Sequence, residues 1–164
     1  MPAVRRFGGL EARAPTAGDD AFLFGLYLAA RPDLGALPVP RGVVEGIARH
    51  QQRLQAADYQ ARYPHAETWL VEQDGVPVAR LVLDRDAHRA RVVDLAVAAG
   101  ARRRGVARTL LTALQEECAH KCAIVLRVRR DNSAARALYD RLGFTLLRDD
   151  GAAQELVWTP GQNE

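Results

Sequence analysis

The segment ARRRGVARTLL, residues 101–111, places four arginines around a single glycine. It follows the apolar run VVDLAVAAG and precedes residues with helical periodicity, so the pattern predicts a short basic loop that leads into a helix. The start of a helix carries unpaired backbone amides and partial positive charge, which suit a phosphate group. Gly105 lacks a Cβ and Ala107 has a small side chain, so a pyrophosphate could approach this backbone closely.

Two common nucleotide-binding motifs do not account for this segment. No Lys-Ser or Lys-Thr pair follows the glycine, as a P-loop requires. The dinucleotide-binding fingerprint needs a third glycine and an acidic residue at the end of the next strand, where this chain has Arg127 and Arg129. The pattern Arg102-x-x-Gly105-x-Ala107 is short, and a chain this rich in arginine, alanine and glycine could contain it by chance.

A carboxylate within an apolar strand is the second candidate functional group. Asp94 lies inside RVVDLAV, where a charge costs free energy unless the side chain faces a cleft or a charged partner. Alternation along a strand places Asp94 and Ala96 on the face opposite Leu95 and Val97. Asp94 is therefore either part of a functional site or the salt-bridge partner of a neighbouring arginine.

Strands and helices are predicted around these residues in the order β-α-α-β-β-β-α-β-α-β-β, with a weak first strand. Asp19 and Asp20 start a helix over AFLFGLYLAA, and a second helix follows over GVVEGIARHQQRLQAADYQARY. The segment RPDLGALPVP between them contains prolines and a glycine that break helices. The residues predicted to be buried in the second helix are Val44, Ile47, Leu54 and Tyr59.

The second half of the chain is predicted to contain most of the strands and two helices. Asp74-Gly75 supplies a positive-φ turn between ETWLVE and VPVARLVLD, which predicts a hairpin, and RVVDLAV is the next strand. A helix starts near Gly105, and AIVLRV is predicted to be a strand buried on both faces. Asn132 or Ser133 caps a helix that ends at Gly143, and FTLL and ELVW are the closing strands.

The composition is that of one globular domain, since 48% of the 164 residues are hydrophobic and 26% are charged. The N-terminal MPAVRRFGGL has no apolar core of signal-peptide length, and the longest apolar runs, AFLFGLYLAA and VVDLAVAAGA, are too short to cross a bilayer. A cytoplasmic protein with no membrane partner is therefore expected. The net charge is only +3, and the positive charge is concentrated around residues 102–108 and 127–130. A polybasic nucleic-acid arm is therefore not expected.

The two cysteines, Cys118 and Cys122, flank His120 on a predicted helix. No second Cys/His cluster completes a tetrahedral metal site, and two cysteines do not make a disulfide framework. Both are predicted to be ordinary helix residues in a reducing compartment.

A second motif lies one strand beyond the basic loop, in DNSAARALYDRLGF, residues 131–144. Together the two motifs resemble the GNAT (Gcn5-related) N-acetyltransferase superfamily. In that family a strand leads into Arg/Gln-x-x-Gly-x-Gly/Ala and a helix, and a later Asn-led helix with a Leu-Tyr pair precedes Gly-Phe. The resemblance covers residues 68–148, and the matching residues of the second motif are Asn132, Ala135, Leu138, Tyr139, Gly143 and Phe144.

The resemblance implies a GNAT-type acyl-CoA N-acyltransferase fold of mixed α/β class, as a single domain over residues 1–164. Its central sheet is mostly antiparallel and twisted, with flanking helices, and its parallel fourth and fifth strands, here VVDLAV and AIVLRV, splay around the cofactor. The implied cosubstrate is acetyl-CoA, whose pyrophosphate binds amides of the basic loop and whose pantetheine pairs with the fourth strand. No metal is implied.

The cofactor-binding residues implied by the resemblance come from the fourth strand, the basic loop and the last helix. They are Leu95, Ala96, Val97, Arg102, Arg103, Arg104, Gly105, Val106, Ala107, Arg108, Asn132 and Arg136. The resemblance implies that Asn132 reaches the cofactor arm. The side chains of Arg103, Arg104 and Arg108 either pair with CoA phosphates or form a solvated surface, and the same alternatives apply to Arg136.

Acetyl transfer to an amine raises two proton problems. A lysine-like amine, with a pKa of about 10.4, must lose a proton before it attacks, and the departing thiolate, with a thiol pKa of about 8.5, benefits from a proton donor. The resemblance implies Tyr139 as the donor, although its neighbours Leu138 and Leu142 also suit a core tyrosine. It implies Asp94 as the base or the anchor of the amine. The ribosomal-protein acetyltransferase subgroup carries a glutamate where this chain has Arg127, which argues against that subgroup's specificity for N-terminal peptides.

The sequence thus predicts an acetyl-CoA-dependent N-acetyltransferase in which a primary amine attacks directly within a ternary complex. A non-catalytic acyl-CoA-binding sensor or structural protein of the same fold is the alternative. A nucleic-acid module is disfavoured because no aromatic stacking platform accompanies the arginines. The identity of the acceptor, a small-molecule or peptide amine, is open, and exposed strand edges favour a homodimer. Residues 17–65 are expected to shape the acceptor site, with Tyr27, Arg31, Tyr59 and Tyr63 as candidate lining groups.

Overall fold

Eight strands form one sheet in the computed structural model, which describes residues 3–161. The strands are β1 (Val4–Phe7), β2 (Leu10–Arg13), β3 (Glu67–Gln73), β4 (Val76–Arg85), β5 (Arg89–Val97), β6 (Ala123–Arg129), β7 (Thr145–Asp149) and β8 (Ala153–Trp158). Their spatial order is β1-β2-β3-β4-β5-β6-β8-β7. Neighbours are antiparallel except β5 and β6, which are parallel. The predicted mixed α/β class, with a mostly antiparallel sheet, is confirmed.

Five α-helices accompany the sheet within the same described range. They are α1 (Asp20–Ala29), α2 (Pro32–Gly35), α3 (Arg41–Arg62), α4 (Val106–Cys118) and α5 (Ser133–Arg141). The predicted hairpin turn is present, since Asp74 and Gly75 have φ angles of 52° and 78°. Gly143, with a φ of 86°, follows α5 in the left-handed conformation that favours glycine. The segment predicted to break helices contains the short α2, which starts at a proline as helices often do.

The N-terminal segment contributes two strands, where the sequence predicts one weak strand. β1 and β2 form an antiparallel hairpin around Gly8-Gly9, and β2 pairs with β3. Each is only four residues long, so neither shows enough alternation to identify it from sequence. As a result the parallel pair consists of the fifth and sixth strands, and the numbering predicted from the sequence was wrong by one.

The apolar side of α4 packs on one face of the sheet. Leu110, Leu111 and Leu114 are fully buried and join Leu81 of β4 and Leu126 of β6 in the main hydrophobic core. Their spacing of three and four residues is the helical pattern visible in the sequence. This packing fixes the start of α4 beside the end of β5, where the basic loop joins them.

A second hydrophobic cluster joins α1, α2 and α3. Phe24, Tyr27, Leu34 and Ala48 are buried in it, and Val44 and Ile47 of α3 pack against it. The prediction that Leu54 is buried was wrong, because its side chain is 56% exposed. The cluster contacts the first half of α3, and Leu54 lies in the second half, outside the cluster, where its side chain faces solvent. No helix within residues 3–161 combines the length and the apolar character that a membrane span requires.

The two cysteines differ from their predicted placement. Cys118 is the last residue of α4, whereas Cys122 lies beyond the helix, immediately before β6. The amide of Cys122 donates to the Cys118 carbonyl at 3.3 Å, and the two side chains form a disulfide across this turn. The helix ends too early to include both residues, and the tight turn brings their sulfur atoms together.

A buried ion pair holds the start of α1 to the N-terminal hairpin. Asp19 is 8% exposed, and its two carboxylate oxygens accept hydrogen bonds from Arg13 of β2 at 2.7 and 2.9 Å. Asp19 also accepts a hydrogen bond from the Thr16 amide at 2.7 Å, and Glu72 of β3 lies 3.0 Å from Arg13. The Arg13 guanidinium, together with the Thr16 hydrogen bonds, holds the pKa of Asp19 well below its usual range.

Asp19→Asn is expected to lower the free energy of unfolding at neutral pH, because the partly buried Arg13 charge loses its main partner. The pKa of Asp19 is lower in the folded state than in the unfolded state. Its stabilisation is therefore complete above about pH 4 and is lost as the pH falls further. Urea unfolding of the two proteins should differ at pH 7 and converge at low pH. The exposed neighbour Asp20, changed to Asn, is the control, and an equal loss there would contradict this role.

Candidate functional site

The parallel strands β5 and β6 separate halfway along their length. They are paired only over Arg89–Val92 and Ala123–Leu126. Beyond these residues β5 continues against β4, and β6 continues against β8. Residues 93–97 of β5 and 127–129 of β6 therefore border an opening, called the cleft below. The sheet contains the splayed parallel pair that the resemblance implies.

A β-bulge in β5 lies at the point of separation. Val92 is paired with Leu83 of β4, and Asp94 with Val82, so Val93 is an extra residue on β5. A bulge bends its strand and increases the local twist. The continuation of β5 beyond Val93 is thereby free to follow β4 and leave β6.

The cleft edge of β5 offers backbone groups to a ligand. The Ala98 amide donates to the Val78 carbonyl of β4 at 2.8 Å. Since alternate residues of a strand direct their amide and carbonyl to the same side, Leu95 and Val97 direct theirs away from β4 and toward the cleft. The Val97 carbonyl accepts a hydrogen bond from Arg102 Nε at 3.2 Å, which agrees with this orientation. An extended ligand could therefore pair with Leu95 and Val97 as an added strand would.

The basic loop ends in a row of unpaired amides at the start of α4. The amides of residues 103–108 donate to no other group in the described chain. Arg103 and Gly105 have φ angles of 64° and 76°, and a Cβ built on Gly105 meets no atom within 4 Å. The space in front of Gly105 is thus open to a ligand. Adjacent unpaired amides at a helix start can bind an anion, and the binding of a pyrophosphate by this loop stays a prediction.

The arginine side chains of the loop are solvent-exposed. Arg103, Arg104 and Arg108 make no salt bridge with another described residue, so their charges are free to attract an anion. They increase the positive potential around the unpaired amides. Both alternatives predicted for these side chains, binding to CoA phosphates and exposure to solvent alone, stay open.

Asn132 and Arg136 have partners within the protein. The Asn132 side chain caps α5 by accepting a hydrogen bond from the Ala135 amide at 3.2 Å. Arg136 donates to Asp140 at 2.9 Å and also to Gln154. The predicted cap is confirmed. The cofactor-binding roles of both residues stay predictions, and the two acceptors leave Arg136 fewer donors for a phosphate.

Tyr139 lies on the half-buried side of α5. Its ring packs against Phe144, with 5.8 Å between the ring centres, and so contacts the hydrophobic core. Its hydroxyl forms no hydrogen bond with another described side chain or backbone group. Burial, with a smaller effect from the Asp94 charge, raises the pKa of Tyr139 to about 12. The phenol therefore remains protonated at physiological pH and can donate a proton or a hydrogen bond.

Asp94 faces away from the α4 core, as strand alternation predicts. One oxygen of its carboxylate lies 3.5 Å from a nitrogen of Arg80, its diagonal neighbour on β4. The two side chains are 26% and 18% exposed, so Asp94 has the arginine partner that one alternative predicts and also borders accessible space. Its part in a functional site stays a prediction. Burial raises the pKa of Asp94 above its usual value more strongly than Arg80 lowers it. A carboxylate with a raised pKa is a better proton acceptor near neutral pH.

Arg80 is a candidate site residue that was not predicted from the sequence. It stands inside the apolar strand VPVARLVLD, so the signal that identified Asp94 was present for Arg80 as well. Its proximity to Asp94 depends on the register of β4 and β5, which the bulge shifts by one residue. That register cannot be obtained from the spacing of residues alone.

The structure brings one of the four candidate acceptor residues, Tyr59, near Asp94. Burial and the Asp94 charge raise the pKa of Tyr59 on α3 to about 12, and Tyr63 lies next to Tyr59. Arg31 instead donates to the Tyr27 hydroxyl at 3.2 Å and to Gln51 at 2.8 Å, within the α1–α3 cluster. Arg31 and Tyr27 thus have structural partners, and the role of Tyr59 and Tyr63 in lining an acceptor site stays a prediction.

Asp94→Asn is expected to raise the free energy of unfolding at pH 7, because it removes a carboxylate whose charged form is disfavoured by burial. The folded-state pKa of Asp94 is above the unfolded value of about 3.9, so its ionisation destabilises the protein as the pH rises from about 4 through the raised pKa. The stability gain should therefore be present at pH 7 and absent near pH 4. Asp131→Asn, at a side chain 68% exposed, is the control in urea unfolding. A loss of stability at pH 7 would contradict the account of Asp94.

The sequence model of the acetyltransferase (GNAT) family matches residues 37–144 of the chain. This span contains α3, β3 to β6, α4 and α5, and therefore the whole cleft with its basic loop. By sequence alone, no curated protein matches the chain.

Solved acetyltransferase structures share the fold over nearly the full chain. The PaiA N-acetyltransferase of Thermoplasma acidophilum, solved with coenzyme A, is 17% identical, with a TM-score of 0.65 over 92% of this chain and 98% of its own. An acetyltransferase of Thermus thermophilus is 19% identical, with a TM-score of 0.64 over 94% and 99%. The ribosomal-protein-S18-alanine N-acetyltransferase of Escherichia coli is 21% identical, with a TM-score of 0.58 over 94% and 98%. At these identities the similarity establishes the fold.

Proposed function

Because this chain belongs to the GNAT acetyltransferase family, we propose that it transfers the acetyl group of acetyl-CoA to a primary amine, by direct attack within a ternary complex. The observation that carries the proposal is the cleft, where β5 and β6 separate beside a row of unpaired amides. Acetyl-CoA is the cosubstrate, and it supplies an activated acetyl group as a thioester. The proposed unit is one N-acetyltransferase domain spanning residues 1–164.

The residues around the cleft fit acetyl-CoA. The unpaired amides of residues 103–108 and the open space at Gly105 suit the pyrophosphate. The cleft-facing backbone of Leu95 and Val97 suits the amide groups of pantetheine. These contacts use backbone groups, so they tolerate wide variation of the side chains.

Tyr139 and Asp94 are proposed to handle the two protons of the reaction. Asp94 accepts one proton from the acceptor ammonium, and the neutral nitrogen attacks the thioester carbonyl carbon. The new carbon–nitrogen bond forms as the carbon–sulfur bond breaks, and the Tyr139 hydroxyl gives its proton to the departing sulfur. The second proton of the nitrogen restores the phenol, and Asp94 releases its proton to solvent. The net products are the acetamide, CoA and one proton.

The experiment that tests the function is a screen of primary amines with acetyl-CoA. Release of the CoA thiol is followed spectroscopically, and the acetylated amine is identified by mass spectrometry. Thiol release that requires both protein and amine, with an N-acetylated product, is the expected result. Binding of acetyl-CoA without turnover of any amine would instead favour a sensor or structural role. A cytoplasmic location and a homodimer stay predictions.

A further inference from the structure

Arg80 and Asp94 form an incompletely paired ion pair at the site. Their contact of 3.5 Å is longer than the 2.7–2.9 Å of a typical charged hydrogen bond, and Arg80 makes no other salt bridge in the described chain. Two other arginines of the same sheet form closer ion pairs with other acids. Arg91 lies 2.9 Å from Glu155, and Arg127 lies 2.6 Å from Asp150. Arg80 is thus a cation at this site that keeps hydrogen-bonding capacity.

We propose that the acceptor is a free α-amino acid, whose ammonium group binds Asp94 and whose carboxylate binds Arg80. This inference rests on the proposed function and narrows its acceptor class. A zwitterion carries its two charges close together, as Asp94 and Arg80 present theirs. Both side chains are partly exposed, so a small ligand can reach both at once.

Electrostatics disfavours acceptors without a carboxylate. An ammonium that binds Asp94 lies beside the Arg80 guanidinium, and like charges in a partly buried site repel strongly. A carboxylate on the same ligand removes this repulsion and satisfies the free donors of Arg80. A polyamine adds further positive charge, and a peptide N-terminus offers a neutral carbonyl in the corresponding position. Arg80 and Asp94 therefore select among acceptors in two ways: they attract a zwitterion, and Arg80 repels an amine that has no carboxylate.

Tyr59 adds a hydrogen-bond donor to the same site. Tyr59 of α3 is half-buried and close enough to Asp94 and Arg80 for both charges to act on its phenol, and its hydroxyl has no hydrogen-bond partner among the described residues. Burial keeps the phenol protonated, as its raised pKa of about 12 indicates. A protonated phenol can donate to a carboxylate oxygen, so Tyr59 complements the anionic end of an amino acid.

The test compares each common L-amino acid with its α-carboxamide and its decarboxylated amine as acceptors. For the best amino acid, kcat/KM should exceed that of the two analogues by at least about 30-fold, as expected for a charged hydrogen bond. Equal turnover of all three would overturn the inference and leave the proposed function intact. Transfer to no amine, with acetyl-CoA bound, would refute the proposed function itself.

Arg80→Met separates carboxylate binding from a merely structural role. It should lower kcat/KM for the amino acid by about 30- to 100-fold, but not lower it for the decarboxylated amine. Equal losses for both acceptors would mean that Arg80 only positions Asp94, and would overturn the inference. Arg80→Lys keeps the positive charge and should retain part of the preference for the amino acid over the decarboxylated amine. It replaces Arg80→Met in the test if the methionine variant does not fold. Arg85→Met, on the same strand but paired with Glu117, is the matched control.

Discussion

Gly105→Glu is expected to abolish acetyl-CoA binding, with a loss of affinity of at least about 100-fold measured by isothermal titration. The new carboxylate would occupy the open space in front of the unpaired amides, where the pyrophosphate is proposed to bind. It would introduce a negative charge beside another and itself accept hydrogen bonds from the helix start. Both effects act against the ligand, and neither requires a change in the protein core.

The matched control is Gly75→Glu in the hairpin between β3 and β4. Gly75 has a φ of 78°, close to the 76° of Gly105, and a Cβ at either position meets nothing within 4 Å. A side chain at either glycine therefore has a similar backbone strain of about 1 kcal/mol. Normal acetyl-CoA binding is expected for Gly75→Glu. Unchanged affinity in Gly105→Glu would place the pyrophosphate elsewhere.

Tyr139→Phe is expected to reduce kcat by about 100- to 1000-fold, the range typical of a lost general acid. The dissociation constant of acetyl-CoA should change little, since the ring still packs on Phe144. The raised pKa of Tyr139, about 12, keeps the phenol protonated through pH 10, so wild-type kcat should show no alkaline loss from this group below that pH. Pre-steady-state measurement of CoA release and a pH profile test both points.

Two outcomes would remove Tyr139 from the mechanism. If Tyr139→Phe retains wild-type kcat, the hydroxyl takes no part in the rate-limiting step. If the variant instead loses acetyl-CoA affinity together with thermal stability, Tyr139 is a packing residue, as its neighbours Leu138 and Leu142 also permit. Tyr27→Phe, which removes a hydroxyl bound to Arg31 in the α1–α3 cluster, is the control for loss of a phenol.

The sequence predicted best the features that depend on local rules. Gly105, Asn132 and Gly143 lie at helix ends, where backbone conformation and unpaired amides restrict the residue type. The hairpin at Asp74-Gly75 follows from the same kind of rule. Because the basic loop joins two such local elements, its shape could be predicted without the rest of the fold.

The features that depend on distant packing were not predicted. The approach of Arg80 to Asp94 requires the register between β4 and β5, including the bulge at Val93. Periodicity predicts an apolar face on α3, but it cannot show whether another element covers that face, and Leu54 is exposed. The extra strand at the N terminus is too short to have a pattern of its own.

A crystal structure of the protein with CoA tests the central claim most directly. The pyrophosphate is expected to lie within hydrogen-bonding distance of amides of residues 103–108. Pantetheine is expected to pair with the backbone of Leu95 and Val97, with its sulfur beside Tyr139 in the cleft. CoA bound outside the cleft, or β5 and β6 paired along their full length in the complex, would contradict it.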